Sequence, residues 1–220
     1  DLSLGGELDL QARGRQTIDA LVLSGSAALA GGAGNGLAGS LSGVFAFNEI
    51  GTKIEAGVST LKALGSRPSD IQASDVSIWA RDVSVIQSFA GSVSVAAALG
   101  GSVGGALSIG ASVARNLIDV DVRGVLEGAV VRASGLISVQ GHSEASIDAF
   151  GLAASAAIGL GGSAGVGISG AGAGAHNIIL GATRAEVVDS DVETGGDVIV
   201  AADARNRIDA VIISASIGVG

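Results

Sequence analysis

Apolar and polar residues alternate in four short stretches that line up with one another. They are ELDLQARGRQTIDA (7–20), DVSIWARDVSVIQS (75–88), LISVQGHSEASIDA (136–149) and DVIVAADARNRIDA (197–210), with starts spaced 68, 61 and 61 residues apart. Leu8 and Leu10, Val76 and Ile78, Ile137 and Val139, and Val198 and Val200 keep a period of two, which predicts strands. An isoleucine closes each stretch, at Ile18, Ile86, Ile147 and Ile208, and thirty residues after the first three comes an asparagine: Asn48, Asn116 and Asn177. The chain therefore reads as one motif of about 61 residues repeated three times and begun a fourth: repeat 1 over 1–74, repeat 2 over 75–135, repeat 3 over 136–196 and the start of repeat 4 over 197–220. The first repeat is longer near STLKALGSRPSD (59–70), read as a surface loop or short helix inserted into one coil and holding the single proline. Because Asp1 already lies inside a repeat, the chain reads as a piece of something longer.

Between the isoleucine and the asparagine the alternation of polarity disappears. Residues 21–47, 88–114 and 149–175, each 27 long, contain no Asp, Glu, Lys or Arg. A glycine-rich turn divides each: Gly32 and Gly36, Gly100 and Gly104, Gly161 and Gly165. A transmembrane helix is one reading by length, but the frequent glycines each cost about 1 kcal/mol in a helix interior. A membrane β-hairpin is another, since about 9–11 residues suffice for a tilted strand. Its lumen face should be polar, however, and here one face carries Phe89, Gly91, Val93 and Val95 and the other Ala90, Ser92, Ser94 and Ala96. The preferred reading is long strands of small residues buried on both faces of a stacked, solenoid-like all-β protein, where no single repeat covers its own apolar strand. The second face is then covered either by the chain folding in layers or by partner chains, which predicts self-association into a homo-oligomeric fibre or tube.

Composition sharpens this. The chain is 48% hydrophobic but only 2% aromatic, with 37 glycines, so close and regular layers replace an irregular core. Its net charge of −9 disfavours nucleic acid, whose phosphates require Lys and Arg. Without cysteine there is no disulfide and no thiolate metal site. The asparagines predict a hydrogen-bonded ladder at one corner of successive coils, where Asn also tolerates left-handed backbone. None has Ser or Thr two residues on, so none is a glycosylation acceptor. No cofactor is expected. DVD (119–121) and DSDVETGGD (189–197) could donate oxygens to calcium, but the calcium-binding repeat and EF-hand spacings are absent, and only an incidental ion at Asp189, Asp191 and Glu193 is left open beside the default of a solvated acidic turn. No catalytic residue is assigned: His142 aligns with Arg13, Arg81 and Asp203, His176 aligns with Arg115, and no nucleophile-elbow or zinc-protease motif occurs. A carbohydrate-binding solenoid would want aromatic platforms, and ice binding would want ranks of threonine; Trp79 stands alone and the five threonines do not align.

SVARNLIDVDVRGVLEGAVVRASGLISVQG (112–141), followed by IDAFGLAASAAIGLGGSAGVGISGAGAGAHNI (147–178), resembles repeats of very large bacterial surface proteins, the giant adhesins and filamentous-haemagglutinin-like exoproteins. The resemblance runs over the whole chain and rests on composition, period and the Asn and Gly markers. It implies an exported, extended, β-rich stalk at the bacterial cell surface, mechanical rather than catalytic, with adhesion targets recognised by another part of the protein. The alternative function is a membrane-inserting, pore-like assembly of β-hairpins.

Overall fold

The computed structural model describes residues 1–60 and 68–220. Twelve strands and no helix make up these residues: β1 (Leu2–Ser3), β2 (Leu8–Gly32), β3 (Asn35–Ser59), β4 (Ser69–Ala73), β5 (Val76–Gly100), β6 (Val103–Glu127), β7 (Ala129–Ala133), β8 (Ile137–Gly161), β9 (Ala164–Leu180), β10 (Thr183–Val188), β11 (Asp191–Thr194) and β12 (Val198–Val219). The insertion expected near 59–70 falls, over 61–67, outside the described residues.

Each coil runs along one long strand, reverses at a two-residue turn, returns along a second long strand and closes through a short one. Three parallel sheets result: β2-β5-β8-β12 and β3-β6-β9/β10 are wide, and β1-β4-β7-β11 is narrow. We call the first wide sheet the outgoing sheet and the second the returning sheet. Pairing is in register, with Leu8 opposite Val76, Val76 opposite Ile137, and Ile137 opposite Val198. A strand of 25 residues extends about 80 Å at ~3.3 Å per residue. The coil is thus a long flattened loop stacked on its copies.

The two ends of this loop are packed differently. Beside the narrow sheet lies the body, whose core is large and aliphatic. Ile78, Ile86, Ile118, Val122, Leu126, Val131, Ile137, Val139 and Ile147 are all fully buried there. Beyond the body the wide sheets close on each other to form a thin blade, packed by Ala96, Ala98, Ala106 and Ala157 towards the tip and by Ala46, Ala90 and Ala114 nearer the body. Glycine permits the approach. A Cβ on Gly110 would lie 2.7 Å from the Ala154 carbonyl oxygen on the facing sheet, and one on Gly104 would lie 2.0 Å from that of Leu160. Any larger residue there must push the sheets apart.

The marker residues fall into rows. Ile18, Ile86, Ile147 and Ile208 are successive partners in the outgoing sheet; Ile86 and Ile147 are buried in the body, Ile18 packs against it, and Ile208 stands exposed on the end coil. Asn48, Asn116 and Asn177 are successive partners in the returning sheet. Asn48 Nδ2 donates to Asn116 Oδ1 (2.8 Å) and Asn116 Nδ2 to Asn177 Oδ1 (2.7 Å). They stand within strands and face inward, not at a corner as expected, and Asp189 is the only described non-glycine residue with positive φ. The inward position has a reason: a buried amide stacked on its copies satisfies donor and acceptor together.

Asn116→Ala leaves the Asn48 amide donor and the Asn177 carbonyl acceptor unpaired. We expect a loss of about 2–5 kcal/mol in urea unfolding, at ~1–3 kcal/mol per orphaned buried group plus the lost bonds. Asn177→Ala, which breaks one link only, should cost about half as much.

Candidate functional site

The feature that departs from ordinary protein surface is the blade. The pleat carries through unbroken from body to blade, so the parity that places Ile86 inside also places Ser88, Ala90, Ser92, Ser94, Ala96 and Ala98 inside. Phe89, Gly91, Val93, Val95, Ala97 and Leu99 consequently face outward. The returning strand behaves likewise: Gly104, Ala106, Ser108, Gly110, Ser112 and Ala114 are buried, while Val103, Leu107, Ile109 and Val113 are exposed. Small and hydroxylated residues are inside and large aliphatic ones outside, the reverse of the usual partition.

The exposure is large. Leu29 is 85% exposed, Leu37 76%, Phe45 63% and Ile168 59%, on both wide faces. Within one chain only the inner face of these strands is covered. The expectation of burial on both faces is met on the inside alone, because the flattened coil has a single interior and no second layer. Apart from Asn35, the first residue of β3 beside the turn, every outward position of the described blade strands between body and turn is Leu, Ile, Val, Phe, Ala or Gly.

Polar groups inside the blade largely satisfy one another. Hydroxyls pair across the two sheets: Ser26 with Ser40 (2.7 Å), Ser94 with Ser108 (2.8 Å) and Ser155 with Ser169 (2.6 Å), and Ser42 donates to Ser24 (3.0 Å). The inner faces are therefore in direct contact. At the tip, the turns Ala33–Gly34, Gly101–Ser102 and Gly162–Ser163 stack with their own backbone bonds. Gly101 N–H donates to Gly32 O (2.9 Å), Ser102 N–H to Gly34 O (2.7 Å) and Ser163 N–H to Ser102 O (2.8 Å). The hydroxyls of Ser88, Ser92 and Ser112 are buried without a hydrogen-bond partner.

Charge stops abruptly where the blade begins. On the outgoing sheet the last polar row is Asp19, Gln87, Asp148 and Asp209, and the next outward row is Leu21, Phe89, Phe150 and Val211. Phe89 and Phe150 stack with centroids 4.9 Å apart. The two rows line a shallow groove of about 480 Å³. On the returning sheet the boundary is the row Phe47, Arg115 and His176, with the Arg115 guanidinium 5.5 Å from the Phe47 ring centre. Further from the blade, the body surface carries ion pairs. Arg123 bonds Glu186 (2.9 Å) and lies near Glu55 (3.6 Å) and Glu127 (3.7 Å); the Glu186 hydrogen bond is the main reason its pKa is raised.

Candidate chemistry is dispersed. Among the described residues no three His, Cys, Asp or Glu side chains, Asp189, Asp191 and Glu193 included, come together as a group that could hold a metal ion. Asp191 and Glu193 share the outward face of β11, where Glu193 lies 3.6 Å from Arg132, and Asp189 precedes the strand. Asp121 accepts the Ala182 amide at 2.9 Å. His142 Nδ1 lies 3.2 Å from Asp203 in the outer row Arg13, Arg81, His142 and Asp203, and His176 stands in a different row on the other sheet. Among the described residues no helix is long and apolar enough to cross a membrane.

One titratable group is fully enclosed. Asp82 is 0% exposed inside the body, opposite Gly14 and Ser143 of the adjacent coils. Ser84 Oγ donates to its Oδ2 (2.6 Å), while its Oδ1 has no partner. Burial raises its pKa above the usual 3.8, and the Ser84 bond only partly opposes this. Gly14 makes room for it: a Cβ there would lie 2.6 Å from Asp82 Oδ1.

Comparison of the chain with protein-family models, curated proteins and solved structures gives no match.

Two predictions follow from the enclosed polar groups. Because the folded pKa of Asp82 is raised, its contribution to stability is fully present below the unfolded pKa. It is lost as pH rises through the folded value, since a charge must then stay buried. Asp82→Ser, the residue of the next coil, should be more stable than the parent at pH 7 and lose that advantage at acid pH, read as the difference between two urea-unfolding curves against pH. Ser92→Ala and Ser112→Ala reproduce Ala153 and Ala173 of the third coil. Each should raise unfolding free energy by about 1 kcal/mol by removing an unpartnered hydroxyl.

Proposed function

We propose that this chain is a load-bearing segment of an extended β-solenoid at a bacterial surface, a stalk or filament of the giant-adhesin kind, mechanical and not catalytic. The observation that carries this reading is the in-register parallel pairing of successive coils along both wide sheets. Such a stack has one axis of growth, and its end coils present edges on which a further coil, of the same chain or a second copy, can pair. Body charge, net −9, keeps neighbouring stalks apart. The resemblance to repeats of bacterial exoproteins supports the surface location, and adhesion targets are left to other parts of such a protein.

A pore-like hairpin assembly is less well supported. A lumen needs a polar face open to water, whereas the polar faces of this blade touch each other through paired serines.

The test is single-molecule stretching between the two termini in aqueous buffer. A load-bearing solenoid should rupture coil by coil, each step freeing about 200 Å of contour for a 61-residue coil at ~3.4 Å per residue. A smooth, featureless extension at low force overturns the proposal.

A further inference from the structure

We propose that the blade is a membrane-inserting edge: the solenoid lies along a lipid bilayer with its body in water and its blade sunk edge-on into the hydrocarbon. This rests on the solenoid continuing as a stack, because backbone pairing must be unbroken along the buried edge.

Four observations select lipid as the occupant. The first is that both wide faces of the blade are apolar, from Leu21 to Leu29 on one side and from Leu37 to Phe47 on the other in the first coil alone. A second copy docking on the blade would cover one face; a medium that surrounds it covers both. The second is the placement of polar groups. Serines of the blade strands face inward and mostly pair across the sheets, and outward positions carry no polar side chain except Asn35 beside the turn. Interfaces between proteins usually carry a polar rim and interspersed hydrogen bonds, and this surface has none before the turn.

The third is the backbone. Hydrocarbon accepts only structures whose N–H and C=O groups are satisfied internally. Parallel ladders satisfy the strands, and coil-to-coil bonds at Gly101, Ser102, Gly162 and Ser163 satisfy the turns. The fourth is length. Twelve residues from Leu21 to Gly32 extend about 40 Å at ~3.3 Å each, enough to cross a hydrocarbon layer of about 30 Å. The tip then carries only Asn35, Ser102 and Ser163 as polar side chains, at the depth of the far headgroups. The row Asp19, Gln87, Asp148 and Asp209 marks where the near headgroups lie.

The chain has no cysteine, so single cysteines can be introduced at Val95 and Ile109 on opposite faces of the blade and at Ser77 on the body. Each is labelled with the environment-sensitive fluorophore NBD, and emission is read with and without phosphatidylcholine vesicles, whose zwitterionic headgroups avoid repulsion by the acidic body. We expect blue-shifted, several-fold brighter emission at 95 and 109 on adding vesicles, quenched by doxyl-labelled acyl chains, and no change at 77. Val95→Lys, at an exposed position that the fold does not need, should weaken vesicle flotation by about 30-fold or more while circular dichroism stays that of β-sheet.

Two outcomes overturn the proposal. One is a blue shift at 95 and 109 that depends on protein concentration, appears without vesicles and is unmoved by doxyl lipid; a second copy then covers the blade. The other is flotation of Val95→Lys equal to the parent. Stretching in buffer is independent of lipid, so failure of the stalk reading and failure of this one are separable.

Discussion

The structure depends on one interaction, the parallel hydrogen-bonded ladder between successive coils. Every long strand is paired residue for residue with its counterpart, and this single constraint forces like onto like. An inward asparagine must sit on an inward asparagine, an isoleucine on an isoleucine, a turn glycine on a turn glycine. Side chains that gain from stacking on their own kind are favoured at each level: amides that both donate and accept, and aliphatic chains that fill one layer of a continuous core. Some rows depart from this, such as Ser92 on Ala153, the row Gln16, Ser84 and Ala145, and the neighbouring row that holds Asp82. Asp82 sits between Gly14 and Ser143, neither of which matches it, and one of its oxygens is left unpartnered.

Given that ladder, the cross-section decides the rest. Near the narrow sheet three walls enclose a volume that needs large side chains, and Ile, Val and Leu fill it. Further out only two walls remain, so the same ladder encloses a space no thicker than two small residues. Alanine, serine and glycine are what fits. The hydrophobic effect cannot then be satisfied inside the blade, because its interior has no room for large apolar groups. They occupy the outward face, where the single chain leaves them uncovered. A medium that covers both faces and the tip completes the burial that the coil itself cannot.

Much of this was legible in the chain. The equivalent isoleucines and asparagines each occupy one row and the turn glycines two, and spacing alone finds them because a stacked protein repeats its chemistry at each level. The partition of blade residues into two faces was legible too, as Phe89, Gly91, Val93 and Val95 against Ala90, Ser92, Ser94 and Ala96. The inner face has a signal of its own in the chain: carrying the parity of Ile86 through Ser88 to Ser94 places the serines inside. Judged by polarity alone, both faces were merely uncharged, and small residues suggested cover on both sides. The place of the asparagines, within strands and not at a corner, is open in the sequence for a similar reason: Asn at a turn and Asn in a buried ladder have the same local sequence signal.

The sequence by itself determined that the chain is a stack of equivalent β-coils, because period-two alternation and recurring markers are properties of the order of residues. It also determined where carboxylate and amide side chains end on the outgoing strands, at Asp19, Gln87, Asp148 and Asp209. Only the tertiary structure decided that the uncharged part is a thin blade with its serines inside and its leucines outside. That depends on how far apart the two wide sheets lie, a distance fixed by the closure of the whole coil and by glycine's lack of a side chain at points of contact, and no local pattern encodes it.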